Sequence, residues 1–319
     1  MVNPVGVRTV IEKCMNIKPG ERVLVVTDYK NLEVAETFLK GISKITETSM
    51  VVSKPSKHHG EEPSRLVAEA MKLADVVLVT TTKSISHTKA VSDAVGGRWG
   101  KGRGVRLASM PGITKDMLYR GALTADHGEV EKITKRIGNA LKNRKTVRVK
   151  TEKGTNLEFS IKNREIFLDT GIYHKKGEWG NLPAGEVCAA PVEGTTEGKI
   201  VVDGAMFGRA DGRMRIEVKN GLVKKVSGSS ASDLNEPIKK DNRTRNIAEF
   251  GIGTNPKARL IGNVLESEKV YGTVHIGFGN NTAFGGRVRA RYHLDGVILK
   301  PTVWVDGKIL IEKGAFKCL

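Results

Sequence analysis

A chain of 319 residues, of which 39% are hydrophobic and 28% charged, has the composition of a globular protein and a length that suggests two domains. It contains no apolar run close to the ~20 residues that cross a bilayer, so we expect no membrane partner. The net charge is +18, but lysine and arginine are spread through both halves and aromatic residues make up only 5%, so we expect a solvated basic surface and no specific nucleic-acid partner.

Short β-branched segments alternate with helical segments in the first half of the chain. The predicted strands cover about residues 22–28, 48–52, 74–81 and 105–110, and the predicted helices cover about residues 31–42, 63–73 and 127–142. This alternation predicts an α/β N-terminal domain over residues 1–145 with a mostly parallel, doubly wound sheet. The turn after the first strand, residues 28–31, lacks the glycine-rich fingerprint of a dinucleotide site.

After residue 145 the pattern changes to an alternation of period two, with turn residues between short strands. The turns are Lys153-Gly154, Asn220-Gly221 and Asp306-Gly307. Turns of this composition between alternating segments predict β-hairpins. We therefore expect a second domain over residues 146–319, of α+β class and largely antiparallel, which contains the candidate metal ligands.

The cysteines Cys14, Cys188 and Cys318 lie far apart in the chain. An odd number of dispersed cysteines fits neither a disulfide framework nor a cysteine-rich metal site. The N-terminal residues also lack the charged and apolar layout of a secretory signal. We therefore expect a reducing, cytoplasmic environment.

Two histidines of the second domain have unusual neighbours. His275 lies within a predicted strand, directly before a glycine-rich turn, and His293 lies two residues before Asp295. Residues two apart on a strand share a face, with about 6–7 Å between their backbones, so this imidazole and this carboxylate can bind one cation. A hydrogen-bonded pair without a metal remains the alternative at this spacing.

Two carboxylates lie in apolar surroundings. Glu186 ends a turn that contains Pro183 and Gly185, and Glu249 lies in the apolar, glycine-rich segment 247–256. Burying a carboxylate is costly unless the group is paired or binds a metal. Three carboxylates and two imidazoles together are typical ligands of paired divalent metals.

Four segments of this half, taken in order, resemble the metal-site motifs of the aminopeptidase T family, the thermophilic leucyl-type metalloaminopeptidases. They are residues 181–187, 249–256, 272–280 and 293–296. In the first half, residues 82–88 and 109–114 also resemble archaeal members of that family. The resemblance extends over nearly the whole chain.

The resemblance implies a metalloaminopeptidase, a hydrolase that releases N-terminal residues from peptide substrates through water activated by two divalent ions of zinc, cobalt or manganese. The implied ligands are Glu186, Glu249, His275, His293 and Asp295. Glu186 and Glu249 would be the catalytic carboxylates, and Glu249 would bridge two ions about 3.5–4 Å apart. The family also implies a homodimer.

A related member of the same superfamily, 2,5-dihydroxypyridine dioxygenase, provides the alternative function. It cleaves its ring with one iron(II) ion, and His275, His293 and Asp295 alone would form a two-histidine, one-carboxylate set for non-haem iron. Residues 281–284 also stand where the aminopeptidase pattern has a tyrosine. Because Glu186 and Glu249 are both retained, we expect the two-metal peptidase.

The dioxygenase alternative gives His87 a role. In the segment Ser86-His87-Thr88, His87 would lie against an aromatic substrate. Otherwise Ser86 or Thr88 caps the helix that follows, and His87 is only its neighbour.

Overall fold

The structure is a computed structural model that describes residues 3–86, 88–96, 102–206 and 214–317. The chain divides into two compact units. The first contains the residues up to Glu131 together with Gly171–Ala184, and the second contains Lys132–Thr170 and the residues from Gly185 onward. Among the described residues, no helix combines the length and the hydropathy that a membrane-spanning segment needs.

The regular elements are numbered in chain order. The helices are α1 (Val5–Arg8), α2 (Leu32–Ile42), α3 (Arg65–Leu73), α4 (Lys89–Val95), α5 (His127–Leu141), α6 (Ala231–Lys240) and α7 (Val264–Ser267). Short helical turns cover Thr9–Cys14, Asp116–Leu118, Ala122–Thr124, Asn242–Arg245 and Thr282–Phe284. The strands are β1 (Val23–Asp28), β2 (Thr48–Ser53), β3 (Val76–Val79), β4 (Arg106–Ser109), β5 (Thr146–Lys150), β6 (Asn156–Ser160), β7 (Phe167–Asp169), β8 (Trp179–Asn181), β9 (Glu186–Ala189), β10 (Glu197–Val202), β11 (Met214–Lys219), β12 (Leu222–Ser227), β13 (Ile247–Gly253), β14 (Val274–Gly279), β15 (His293–Ile298), β16 (Thr302–Val305), β17 (Lys308–Glu312) and β18 (Ala315–Phe316).

The first unit is built on a five-stranded parallel sheet, sheet A, with the order β2-β1-β3-β4-β8. Successive residues of β1 point to opposite faces, and each face has its own apolar core. Val23 and Val25 pack in one cluster with residues of α1 and α2, and Leu24 and Val26 pack in another with residues of α3 and α4. A sheet covered on both faces needs continuous apolar strands, which explains the β-branched runs.

The second unit contains two antiparallel sheets. Sheet B has the order β12-β11-β10-β6-β5-β16-β17-β18, and sheet C has the order β15-β14-β13-β9-β7. The hairpin partners pair as predicted, β5 with β6, β11 with β12 and β16 with β17. One apolar cluster joins the two sheets, and in it the rings of Phe159 and Phe250 lie 5.1 Å apart. One parallel and two antiparallel sheets confirm the predicted fold class.

Candidate metal centre

The candidate residues occupy one face of sheet C, here called the polar face. In an antiparallel sheet, residues that lie opposite one another share a face, and so do residues two apart on a strand. From β7 to β15 the polar face contains Asp169, Glu186, Cys188, Glu249, Gly251, Gly253, His275, Gly277, Gly279, His293 and Asp295. The alternate residues of the same strands, such as Phe250 and Ile276, belong to the apolar core. The polar face is therefore anchored by the core behind it.

Two glycines make room for the larger side chains of this face. Gly251 lies opposite His275, and a Cβ atom on Gly251 would overlap the His275 ring. A Cβ atom on Gly277 would lie 2.7 Å from the Cβ of Glu249 and 2.9 Å from Oδ1 of Asp295. Glycine at these positions lets imidazoles and carboxylates converge over the middle strands.

His293, Asp295 and Glu249 form a compact group. The Nε2 atom of His293 lies 2.9 Å from Oε2 of Glu249 and 3.2 Å from Oδ1 of Asp295. Its Nδ1 atom lies 2.7 Å from the backbone carbonyl of Asn280. Because a carbonyl only accepts, Nδ1 donates, and the tautomer leaves Nε2 facing the carboxylates. One donor atom from each member of the group lies within 4.8 Å of the others, close enough to share a cation.

His275 joins this group through Glu249. The residue is only 1% exposed, and its Nε2 atom lies 3.5 Å from Oε1 of Glu249 and 3.4 Å from Oε2 of Glu186. Each oxygen of Glu249 therefore faces a different imidazole. The structure thus brings all five predicted ligands onto one face.

Burial and charge act against each other at these groups. Burial favours the neutral form of Glu249, but hydrogen bonds from His275 and His293 outweigh it and hold the pKa of this carboxyl well below its usual range. Burial likewise opposes protonation of His275, but Glu249 and Glu186 raise its pKa to about 9. Burial also opposes protonation of His293, whose pKa Asp295 and Glu249 raise well above its ordinary value. The carboxylates thus create a strongly negative potential where the imidazole nitrogens meet them.

A lysine that the sequence analysis did not single out lies against the other end of the polar face, beside Glu186 and Asp169. Lys269 is fully buried, at 0% exposure. Its Nζ atom lies 2.7 Å from Oε1 of Glu186, 2.7 Å from Oε1 of Glu268 and 4.0 Å from Oδ2 of Asp169. Burial opposes its charge, yet Glu186 and Glu268 raise the pKa of the ammonium well above its usual value. Burial raises the pKa of Glu268 to about 8.

Cys188 also lies on the polar face, next to Glu186 and Glu249. Burial raises the pKa of its thiol well above the ordinary value, and the negative charges of Glu249 and Glu186 add to this effect. Since the thiolate is the form that binds metals, a thiol held neutral in this way is a poor ligand. We therefore do not include Cys188 in the ligand set.

His87, the predicted substrate contact, lies outside the described residues. Its neighbour Thr88 caps α4, because the Thr88 Oγ1 atom accepts a hydrogen bond from the Val91 N–H at 3.4 Å. Ser86 donates to Ser109 Oγ at 2.8 Å. The helix-cap alternative for this segment therefore applies to Thr88.

The donors of the polar face fit a divalent metal. Oδ1 of Asp295 and Oε2 of Glu186 are buried and make no hydrogen bond of normal geometry to any described residue. Buried carboxylate oxygens without such a bond are costly unless a cation compensates them. Together with imidazole nitrogens of fixed orientation, these oxygens support metal binding at this face.

Comparison with known proteins identifies the family. The family model described as NicX, 2,5-dihydroxypyridine 5,6-dioxygenase, matches residues 6–318. The chain belongs to this dioxygenase family. A 2,5-dihydroxypyridine 5,6-dioxygenase from Pseudomonas putida is 23% identical over 191 residues, which are 54% of this chain and 55% of the relative. That match therefore spans about half of the relative's length.

Two solved structures share the fold of this member of the dioxygenase family. The 2,5-dihydroxypyridine dioxygenase of Pseudomonas putida KT2440 superimposes with a TM-score of 0.80 at 17% identity, over 99% of this chain and 98% of the other. Wild-type AmpT from Thermus thermophilus superimposes with a TM-score of 0.67 at 14% identity, over 98% of each chain. The fold is thus common to both proteins.

The predicted aminopeptidase function is wrong, and with it the classes hydrolase, metallopeptidase and protease. The family match over residues 6–318 points to a dioxygenase, an oxidoreductase, and so favours the alternative. The prediction depended on the retention of Glu186 and Glu249 as ligands of two ions. In the structure, one oxygen of Glu186 already contacts the ammonium of Lys269. A retained carboxylate is therefore no evidence of a second metal.

Proposed function

We propose that this protein is a ring-cleaving dioxygenase that uses one iron(II) ion and acts on a dihydroxylated pyridine or a closely similar aromatic ring. The observation that supports this most directly is the convergence of two imidazoles on one carboxylate of the polar face. Nε2 of His275 and of His293 lie 3.5 Å and 2.9 Å from oxygens of Glu249, and Oδ1 of Asp295 lies 3.2 Å from Nε2 of His293. Two imidazoles and one carboxylate with open positions are the ligand set of non-haem iron(II) oxygenases. The family membership supports the same chemistry.

His275, His293 and Asp295 would hold the iron. When bound, iron(II) supplies the redox chemistry with dioxygen that ring cleavage needs. The Asn280 carbonyl keeps the His293 ring oriented, since it accepts the Nδ1 hydrogen at 2.7 Å. The ring of Phe284 lies 5.2 Å from that of His293 and further restricts its rotation.

Glu249 would position the imidazoles. Its oxygens lie 3.5 Å from His275 Nε2 and 2.9 Å from His293 Nε2, so each oxygen is engaged by one ring. A carboxylate placed between two imidazoles fixes their separation and balances the positive charge that accumulates there. His87 stays a prediction as a contact to the substrate ring.

The proposal is tested with chain purified without metal, loaded anaerobically with iron(II) and then mixed with 2,5-dihydroxypyridine in air-saturated buffer. We expect oxygen consumption in proportion to loss of the aromatic absorbance of the substrate, and no such reaction with the zinc-loaded chain. Release of amino acids from peptides by the zinc- or cobalt-loaded chain, without oxygen uptake by the iron-loaded chain, would contradict the proposal.

A further inference from the structure

Lys269 is more deeply buried than the arginine of another ion pair in the second unit. In the pair of Arg259 with Glu266, Nε lies 3.0 Å from Oε1 and the arginine side chain is 29% exposed. The Lys269 ammonium instead lies 2.7 Å from oxygens of both Glu186 and Glu268 and 4.0 Å from Asp169. A point charge shared by several carboxylates, with no exposure to solvent, has the surroundings that a bound cation has.

The backbone holds this lysine firmly in place. The Lys269 N–H donates to the Glu266 carbonyl at 3.1 Å, and the Lys269 carbonyl accepts from the Asn255 N–H at 2.9 Å. The lysine backbone also packs against Gly253, where an added Cβ atom would lie 2.8 Å from the carbonyl carbon of Lys269. Since Gly253 pairs with Glu186 in the sheet, this packing places the Lys269 side chain beside the Glu186 carboxylate.

Glu186 connects the lysine to the metal ligands. One of its oxygens faces Lys269 at 2.7 Å, and the other faces Nε2 of His275 at 3.4 Å. In a centre with two ions about 3.5–4 Å apart, carboxylates must supply oxygens to both ions. The Oε1 atom of Glu186 is already bound to an ammonium at the distance of a strong, charge-assisted hydrogen bond.

We propose that the ammonium of Lys269 takes the place of a second metal ion, so that the polar face binds one divalent cation and excludes another. This inference builds on the proposed function, because a single ion is what an iron dioxygenase needs. The lysine supplies a fixed positive charge to Glu186 and Glu268, and it repels a second cation from the same oxygens. Lys269 is thus a residue that determines metal stoichiometry without touching the bound ion.

The experiment measures zinc bound per chain, by equilibrium dialysis followed by elemental analysis, in the full-length protein without substrate. Zinc is the probe because it binds these donors without redox chemistry. The variants are Lys269→Met, which removes the charge at similar length, and the control Lys269→Arg, which keeps the charge. We expect about one ion per chain in the unaltered protein and in Lys269→Arg, and about two in Lys269→Met.

A further variant locates the additional ion. In the double variant Lys269→Met with Glu186→Gln, the oxygen left by the lysine is no longer anionic, so we expect about one ion per chain. An anomalous map at the zinc edge should show the second peak of Lys269→Met near Glu186 and Glu268. Circular dichroism and thermal unfolding report whether each variant is folded.

Three results would overturn the inference. They are two zinc ions in the unaltered protein, a folded Lys269→Met chain that still binds a single ion, and a second peak elsewhere on the molecule. Should Lys269→Met fail to fold, Lys269→Gln removes the charge but keeps a polar group beside Glu186 and Glu268, and there too a single bound ion overturns the inference. Since no activity is measured, the outcome is independent of whether the protein is a dioxygenase.

Discussion

At the polar face of sheet C, two groups of side chains compensate buried carboxylate charge in different ways. The imidazole side consists of Glu249, His275, His293 and Asp295, and the lysine side consists of Asp169, Glu186, Glu268 and Lys269. On the lysine side a permanent charge compensates the carboxylates. On the imidazole side the compensation comes from nitrogens that exchange a proton for a metal ion.

The nitrogen groups of the two sides differ in exposure. The side chain of His293 is 26% exposed, whereas those of His275 and Lys269 are 1% and 0% exposed. Ligand exchange needs a path to solvent, and a structural charge does not. We infer that the imidazole side is the reactive part of the centre and that the lysine side maintains the charge balance around it.

The largest effect is expected from His293→Ala, which removes a nitrogen donor from the imidazole side. The loss of iron affinity should exceed the ~10–100-fold that loss of a partner outside the ligand set costs, and oxygen uptake should be abolished. The free energy of unfolding of the metal-free chain should also fall, because the buried Glu249 loses one of its two imidazole partners. Iron content and oxygen consumption are the measurements.

The matched control is His58→Ala, which removes an exposed histidine of the first unit. This control should keep both the iron and the activity of the unaltered chain. A His293→Ala chain that binds iron as tightly as the control would place the metal elsewhere, and the distinction between the two sides would then lose its basis.

An intermediate effect is expected when each side is crowded by one methyl group. In Gly277→Ala the new Cβ atom would lie 2.7 Å from Glu249 Cβ and 2.9 Å from Asp295 Oδ1, so iron affinity should fall about 10–100-fold. In Gly253→Ala it would overlap the carbonyl oxygen of Val270 and lie 2.8 Å from the carbonyl carbon of Lys269, so the free energy of unfolding should fall by about 1–3 kcal/mol.

Iron titration and urea unfolding of both variants separate the two effects. Gly128→Ala, whose added Cβ atom would approach only Asp126 Oδ1, at 3.2 Å, is the control for alanine substitution itself. Equal changes of iron affinity in Gly277→Ala and Gly253→Ala would show that the two sides act as one unit and not as a metal site with a structural neighbour.

Much of the fold could be predicted because local patterns determine it. Buried β-branched segments predicted strands of sheet A. The turns Asn220-Gly221 and Asp306-Gly307 predicted hairpins, and the residues of both turns have positive φ angles. The short strand β8 could not be predicted, since Trp179–Asn181 shows no periodicity. Its place beside β4 depends on pairing with a strand about seventy residues earlier in the chain.

The candidate site was predictable only in part. Polar residues inside apolar strands are conspicuous, and this is how Glu249 and His275 were found. Lys269 was missed because one lysine near a turn is not distinctive in a chain with 53 lysines and arginines. Its importance arises from tertiary contact with Glu186, which the sequence does not show. Without this contact, Glu186 was interpreted as a ligand of a second metal ion, whereas one of its oxygens is paired with Lys269.

The smallest effect is expected at the edge of the imidazole side, where Asp241 joins two segments. Its carboxylate accepts from the backbone N–H of Arg243 and of Arg291, shortly before β13 and β15 respectively. The Arg243 side chain and these backbone groups lower the pKa of Asp241 from 3.8 to about 2. Because the folded pKa is the lower one, the stabilisation is complete above pH 3.8 and is lost as the pH falls towards 2.

Asp241→Asn should therefore reduce the unfolding midpoint slightly at pH 7, and the difference from the unaltered chain should vanish below about pH 2. Urea unfolding at pH 7, 4 and 2 measures this, with Glu217→Gln at an exposed strand position as the control. Iron affinity at pH 7 should be nearly unchanged, because Asp241 restrains the backbone before His293 and touches no ligand atom. If the difference in unfolding midpoint between Asp241→Asn and the unaltered chain stayed constant with pH, the charge of Asp241 would not be the source of its stabilising effect.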